Sequence, residues 1–280
     1  MRSKNLAYYL HKNEQSLDFD QKQTFRDLVE IFHENSKMTT VWKPFLAKSI
    51  SHHLTNVTQI YLDSKNKKKY VFESEEKLPT PSTYTHSFDD VIQKRSSNMV
   101  FKKEPLSKQT ISNLLSSLRV TRSGQSKFNE KAIIKRRTYA SAGALFPVEI
   151  YALIPNNNFT EWDSYNYDPR NHSITLVDSN IKHKKVAHAF QLDATKIQCG
   201  AVIVLSGIFN RSVNKYGPLG YRFSLIEAGG IIQQLGLACA DMDLNGLTWG
   251  GALDYDMNQL IKIDGLEENY LISFLVGLQK

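Results

Sequence analysis

Cysteine is scarce in this chain: Cys199 and Cys239 alone occur in 280 residues, each among small or apolar neighbours. Two such residues cannot build a disulfide framework or a zinc cluster, and their surroundings suit buried free thiols. No Cys-x-x-Cys, no His-Glu-x-x-His and no Gly-x-x-x-x-Gly-Lys-Ser/Thr is present, so zinc and P-loop chemistry lack their usual ligand spacings. The eight histidines are scattered. His52 and His53 are neighbours whose side chains diverge on a helix, and neither has an acidic residue at metal-ligand spacing. Both are expected to be surface or structural, and no metal site is expected. Uninterrupted apolar runs stop far short of the roughly 18 to 20 residues of a membrane-spanning helix. Nor does the polar start, Met1-Arg2-Ser3-Lys4-Asn5, lead into the apolar stretch of roughly 7 to 15 residues that a secretory signal requires. A soluble cytoplasmic protein without a membrane partner is expected.

What is present is core-forming material. Hydrophobic residues make up 41% and aromatic ones 11% of the chain, enough to bury one large core or two modest ones and to exclude disorder. The net charge of +7 is uneven: residues 1–140 carry 25 Lys and Arg against 14 Asp and Glu, residues 141–280 carry 10 against 14. A basic front half suits nucleic acid, a phosphate-bearing cofactor or an acidic partner. The densest run, Lys65 to Lys69, has no regularly interleaved aromatics to stack bases, and no basic recognition helix emerges, so a solvated loop and no nucleic-acid partner are expected.

Periodicity then orders the elements. Phe25, Leu28, Val29 and Phe32 fall at helical spacing, and Pro44 suits a first turn ahead of Leu46, Ile50 and Leu54. Thr58–Leu62 and Tyr70–Phe72 are expected as short strands around the lysine run, completing a small α+β unit. The stretch 73–87, with Pro79, Pro81 and many Ser and Thr, reads as a linker or a strap, which places a boundary near residue 86 between segments 1–86 and 87–280. Beyond it, Ser107 caps a helix with an Ile111, Leu114, Leu115, Leu118 stripe, and 119–135 is expected to be polar and mobile. Buried strands are expected at 148–154, 201–205, 246–249 and 270–276, a hairpin at 165–177, and helices near 182–190, 222–241 and 257–263. Strands and helices do not alternate regularly, and no Gly-x-Gly-x-x-Gly follows a strand, so the order is α+β rather than doubly wound.

Three segments exceed what packing explains. Lys94-Arg95-Ser96-Ser97 either closes a helix as an ordinary basic end that complements the macrodipole or offers a guanidinium fork and hydroxyls to a phosphate. In Arg136-Arg137-Thr138-Tyr139-Ala140-Ser141-Ala142-Gly143-Ala144-Leu145-Phe146-Pro147, small residues let a flat ligand approach the backbone while Ser141 and free amides meet its polar edge. Lys215-Tyr216, bounded by Gly217 and expected on a loop between a strand and a helix, sets two proton-transfer groups side by side. Downstream lie Glu227-Ala228-Gly229-Gly230, Gln233, Gly236 and Trp249-Gly250-Gly251. The helical glycines each cost roughly 1 kcal/mol against Ala, which close packing of another backbone or a cofactor would offset.

In order and spelling these motifs resemble the nitroreductase-like flavoproteins of the SagB type, including the McbC-like dehydrogenases acting on azoline rings of ribosomal peptides. The resemblance spans roughly residues 88–277. It rests most on Ser141 to Pro147 followed by Val148-Glu149-Ile150-Tyr151, and on Gly220-Tyr221-Arg222 through Glu227-Ala228-Gly229 to Gln233. It implies an α+β three-layer sandwich with a mainly antiparallel sheet, and an intertwined homodimer with FMN between subunits. By motif, Arg95 and Ser97 would grip the FMN phosphate and ribityl oxygens. Arg137, Ser141, Gly143, Ala144 and Leu145 would form the flavin-contacting turn, and Gly250 and Gly251 would lie near the reactive nitrogen. Lys215 and Tyr216 match the pair associated with azoline oxidation. Two positions depart from many relatives: Asn98 stands for a second arginine and Ala140 for a proline.

The activity so implied is oxidation of peptide thiazolines or oxazolines to azoles, with FMN taking a hydride, oxygen as final acceptor, and Lys215 or Tyr216 as base, shuttle or substrate clamp. The expected partners are the modified precursor peptide, a YcaO-type cyclodehydratase and its ubiquitin-activating-like companion, with 1–86 serving as a docking or a dimer-stabilising segment. The competing expectations are a general NAD(P)H-dependent nitro or quinone reductase and a non-catalytic scaffold of a peptide-modifying complex.

Overall fold

The computed structural model describes residues 19–65, 68, 70 and 73–280. Density of internal contacts divides the chain after Lys43, into 1–43 and 44–280. The boundary inferred near residue 86 therefore falls inside the second unit. In the first unit lies α1 (Phe19–Asn35), closed by the Ser36 amide on the Phe32 carbonyl and by the Asn35 amide on Ile31.

The second unit opens with two helices, α2 (Trp42–Thr55) and α3 (Val57–Lys65). Each starts on a side-chain cap: the Thr39 hydroxyl accepts from the Trp42 amide, and Asn56 Oδ1 accepts from the Gln59 amide. The strand expected at Thr58–Leu62 is thus helix, because the Asn56 cap satisfies the amides that a helix start leaves orphaned and Ile60 supplies the buried position. The strand expected at Tyr70–Phe72 lies largely outside the described residues.

The short strand β1 (Glu75–Lys77) joins the edge of the main sheet, and the chain then runs as a strap rather than a free linker. The strap is tied by Ser112 Oγ donating to the Pro79 carbonyl, Tyr84 Oη donating to the Asn113 carbonyl, and the Thr85 and His86 amides donating to Asp241. Helices α4 (Phe88–Lys94) and α5 (Lys108–Ser116) follow, capped by Ser87 and by Ser107 as expected. The stretch expected to be mobile forms a hairpin, β2 (Val120–Gln125) with β3 (Ile133–Arg137). Its side chains are mostly exposed, so backbone pairing holds it and no apolar alternation announces it.

The remaining elements are β4 (Val148–Pro155), β5 (Glu161–Asp168), β6 (Ser173–Lys182), α6 (His183–Ala189), β7 (Ala201–Gly207), α7 (Asn210–Tyr216), α8 (Leu219–Asp241), β8 (Leu244–Trp249), α9 (Asp254–Leu260) and β9 (Asn269–Leu278). Seven strands form one antiparallel sheet in the order β1-β6-β5-β4-β7-β9-β8. Central β4 and β7 are apolar on both faces because both are covered. On one face Leu114, Leu115, Ile231 and Leu235 of α5 and α8 pack on Ile150, Ile203 and Phe274; on the other, Val186 and Met257 of α6 and α9 pack on Leu153, Val202 and Leu275. This is the expected α+β three-layer arrangement.

Helix α8 has the length and apolarity of a membrane span, which uninterrupted runs alone did not suggest. Ala228, Ile231, Leu235 and Ala238 on it are buried against the sheet. Its first turn abuts α7 so closely that a Cβ on Gly220 would lie 2.5 Å from the Val213 nitrogen.

Candidate functional site

Between β3 and β4 the chain makes a turn that only a firmly held backbone sustains. Gly143, Ala144 and Phe146 all take positive φ, of 65°, 55° and 49°. For the two non-glycine residues this costs roughly 1 kcal/mol or more each, which the surroundings must offset. Ser141 Oγ accepts from the Phe146 amide at 2.9 Å, and Arg211 Nη1 on α7 donates to the Phe146 carbonyl at 3.0 Å. Beneath, the Arg137 guanidinium lies 4.3 Å from the Phe146 ring centroid and donates to Tyr139 Oη. Arg211 also pairs with buried Glu149 at 2.5 Å. Burial pushes the Glu149 carboxyl up, but Arg211 and Arg137 outweigh it and hold the carboxyl below its ordinary value.

Glu227 of α8 completes this underside. Its Oε1 accepts from the Val148 amide at 3.4 Å, while Oε2 is buried with no partner. Burial pushes its carboxyl up to about 7, against the smaller opposing pull of Ser141 and Arg137.

Lys215 and Tyr216 close α7 rather than sitting on a loop, and the Gly217 amide completes the last turn on the Val213 carbonyl. The end of α7 aims both side chains at the strained turn: a Cβ on Gly143 would lie 2.6 Å from Tyr216 Oη and 3.0 Å from Lys215 Nζ. Only glycine leaves that space open. Lys215 is 8% exposed, and its ammonium group makes no hydrogen bond or ion pair among the described residues. Burial lowers its pKa, with Asp63 partly opposing, whereas burial raises that of Tyr216.

A cleft of about 300 Å³ opens here, lined by Ser141, Gly143, Ala144 and Leu145 of the turn, by Lys215, and by Arg136 and Arg170. The structure thus brings together six expected residues: four of the turn, Lys215, and Tyr216 through its approach to Gly143. Arg137 lies below the turn and off the cleft wall, where its neighbour Arg136 takes the lining position. Arg95 caps α4, with its stem against α8, its Cγ and Cδ 3.8 Å from a Cβ built on Gly236. Ser97 is exposed just beyond. Gly250 and Gly251 are exposed after β8, where a Cβ on Gly251 would lie 3.5 Å from the Trp249 indole nitrogen, a buried donor without a partner. None of these four lines the cleft.

Two residues went unnoticed in the sequence as parts of this site, His53 and Asp63, which also line the cleft. Their ten-residue separation carries no signal until α2 and α3 fold back on each other and set His53 Nε2 2.8 Å from Asp63 Oδ2. Among the described residues no group of three or more His, Cys, Asp or Glu side chains is placed to hold a metal ion.

The nitroreductase family model matches residues 92–278. The protein MJ1384 of Methanocaldococcus jannaschii, which carries a nitroreductase name, is 27% identical over 188 residues, covering 66% of this chain and 89% of its own length. The microcin B17-processing protein McbC of Escherichia coli is 25% identical over 134 residues, 46% of this chain and 49% of McbC. Among solved structures, a chain of the E. coli microcin synthetase McbBCD complex, bound to truncated pro-MccB17, superposes with a TM-score of 0.55. That chain is 19% identical, and the match covers 96% of this chain and 99% of the other.

Proposed function

This chain belongs to the nitroreductase family of oxidoreductases, and from that premise we propose that it is an FMN-dependent dehydrogenase converting peptide thiazolines or oxazolines to azoles. The observation that carries the reading is the largely buried Lys215, whose ammonium has no hydrogen bond or ion pair among the described residues, beside Tyr216 at the floor of the turn, a pair that a general reductase does not require. Similarity to McbC, a microcin-processing protein, supports it.

The residues present fit a flavin. The exposed Gly143 at the centre of the turn, the Trp249 indole donor without a partner among the described residues beside Gly251, and a cleft of mixed polar and apolar lining suit a flat ring with hydrogen-bonding edges. Arg95 and Ser97 would hold its phosphate, the turn, Gly250 and Gly251 its ring, and Arg137 would brace the turn from below. When bound, FMN supplies the hydride acceptor and passes electrons on to oxygen. The chain's own task is the accompanying proton. A desolvated amine at Lys215 reaches its neutral form nearer neutral pH than an ordinary lysine, so it can take a proton from the substrate ring. Tyr216, whose phenol burial keeps protonated, orients the substrate by donating a hydrogen bond.

Because Arg95 and Gly250 lie off the cleft, we assign the complete site to a homodimer. Leu225 and Ile226 of α8 are 41% and 68% exposed, and Gly229 and Gly230 have nothing packed on them, which leaves that face of α8 available to a second copy. The substrate is a modified precursor peptide, delivered by a cyclodehydratase of the YcaO type and its ubiquitin-activating-like companion. Purified protein should be yellow and should form azoles from an azoline peptide under air. NAD(P)H oxidation with nitroaromatics that is indifferent to Lys215 would instead establish a general reductase. Colourless protein that takes up no FMN would establish a scaffold.

A further inference from the structure

The helical pair α2–α3 reaches the cleft with chemistry of its own. His53, in the last turn of α2, is 8% exposed, and its Nε2 lies 2.8 Å from Asp63 Oδ2 on α3. Asp63 is itself held, because Gln59 Nε2 donates to its Oδ1 at 2.8 Å. The pair is pinned at the level of Lys215, since Ser49 Oγ, one turn before His53, donates to the Lys215 carbonyl at 3.0 Å. Asn129 Nδ2, donating to the Val57 carbonyl at 2.7 Å, fixes α3 from the hairpin side. His53, Asp63 and Lys215 line the same cleft. A histidine and aspartate needed only to join two helices would gain nothing from facing a buried amine.

Resting on the reading above, we propose that His53 and Asp63 are positioning residues for Lys215. The imidazole, held beside the Asp63 carboxylate, receives by way of solvent in the cleft the proton that Lys215 collects and passes it out at the cleft mouth. The transfer balances: the amine gains a proton from the substrate ring, loses it to the imidazole, and the imidazolium returns it to water beside the Asp63 anion. The charges facing His53 are consistent with an intermediate holder. Burial, Lys215 and the neighbouring His52 disfavour its charged form, while Asp63 favours it. Lys135, Arg136 and Arg170 add positive charge around the same cleft and favour release.

The test reads the imidazole directly, on the full-length protein as purified, by ¹³Cε1-histidine NMR titration. In the wild type His53 should titrate below the ordinary histidine value. Lys215→Met should move it upward by roughly one pH unit, Asp63→Asn downward, and Lys215→Arg, which keeps the cation, should leave it in place. A His53 titration indifferent to Lys215→Met overturns the proposal whatever the enzyme's reaction. Where the wild type oxidises azolines, His53→Gln should slow flavin bleaching by an azoline peptide about tenfold or more, and added imidazole should restore it. An unimpaired His53→Gln, or a loss that imidazole does not rescue, overturns the relay. A wild type that oxidises no azoline refutes the proposed function while the NMR titration still decides the coupling.

Discussion

The cleft beneath α2 and α3 and the rim formed by Arg95, Ser97, Gly250 and Gly251 differ in how the chain builds them. The cleft is set into the molecule, its backbone strained and braced by buried ion pairs, its lysine lying over the Tyr216 ring without a hydrogen bond or ion pair among the described residues. On the rim Arg95 is half-buried and the other three residues are exposed, with a glycine-bearing helix face nearby that nothing among the described residues covers. Proton chemistry calls for the first condition, because desolvation shifts the pKa of Lys215. Holding a phosphate calls for the second, because an accessible guanidinium must still reach its ligand. On the proposed reading, the difference teaches that one chain would carry a finished reaction floor and an unfinished cofactor grip.

The comparison breaks first at Lys215. Lys215→Ala should cut azole formation by about 10² to 10⁴-fold, as loss of a general base does, and leave flavin absorbance intact; peptide mass spectrometry and the visible spectrum check the two halves. Arg211→Met strips Glu149 of its nearest cation inside the core and should cost on the order of 3 to 5 kcal/mol in urea unfolding, loosening the turn while Arg95 remains available. Glu227 sharpens the floor's electrostatics. Its folded pKa of about 7 lies above the unfolded one, so the native state binds more protons between them. Stability from this group is full below the unfolded pKa and falls as pH rises to about 7. Glu227→Gln should flatten that slope, gaining on the order of 3 kcal/mol at pH 8 relative to pH 4, as read by denaturant melts across pH.

On the rim, Arg95→Ala should weaken FMN binding about 10 to 100-fold by fluorescence titration, the loss expected of a charge-assisted contact, while azole formation per bound flavin stays near normal. That pattern is the reverse of Lys215→Ala. The smallest effect is expected at Gly143→Ala. Its φ of 65° and the crowding of Tyr216 Oη should cost roughly 1 kcal/mol in thermal stability, with the Lys215 and Tyr216 tips swinging aside.

What could be read in the sequence follows the same division. Strands β4, β7 and β9 were legible because they are largely buried and mostly apolar, interrupted only by residues such as Glu149 and Ser273, and the Ser107 cap marked α5. The hairpin β2–β3 was not, since its polar, exposed side chains carry no period. Helix α3 imitated a strand because Val57, Ile60, Tyr61 and Leu62 favour strands locally, while the Asn56 cap decided otherwise. At the site, the Ser141–Leu145 turn and the Lys215-Tyr216 pair stood out as contiguous motifs. The division of labour between Arg136 and Arg137 did not, because adjacent residues point to opposite sides of β3 and only the packing of Phe146 and Tyr139 shows which one is inside. His53 and Asp63 became neighbours only through the fold.

Anaerobic mixing of the yellow, FMN-loaded protein with an azoline-bearing peptide tests the central claim most directly. The wild type should bleach at 450 nm, roughly the usual flavin maximum, with one azole formed per flavin, and Lys215→Ala should bind flavin yet stay yellow. Bleaching that proceeds equally well in Lys215→Ala, or that only NAD(P)H produces, would contradict the account.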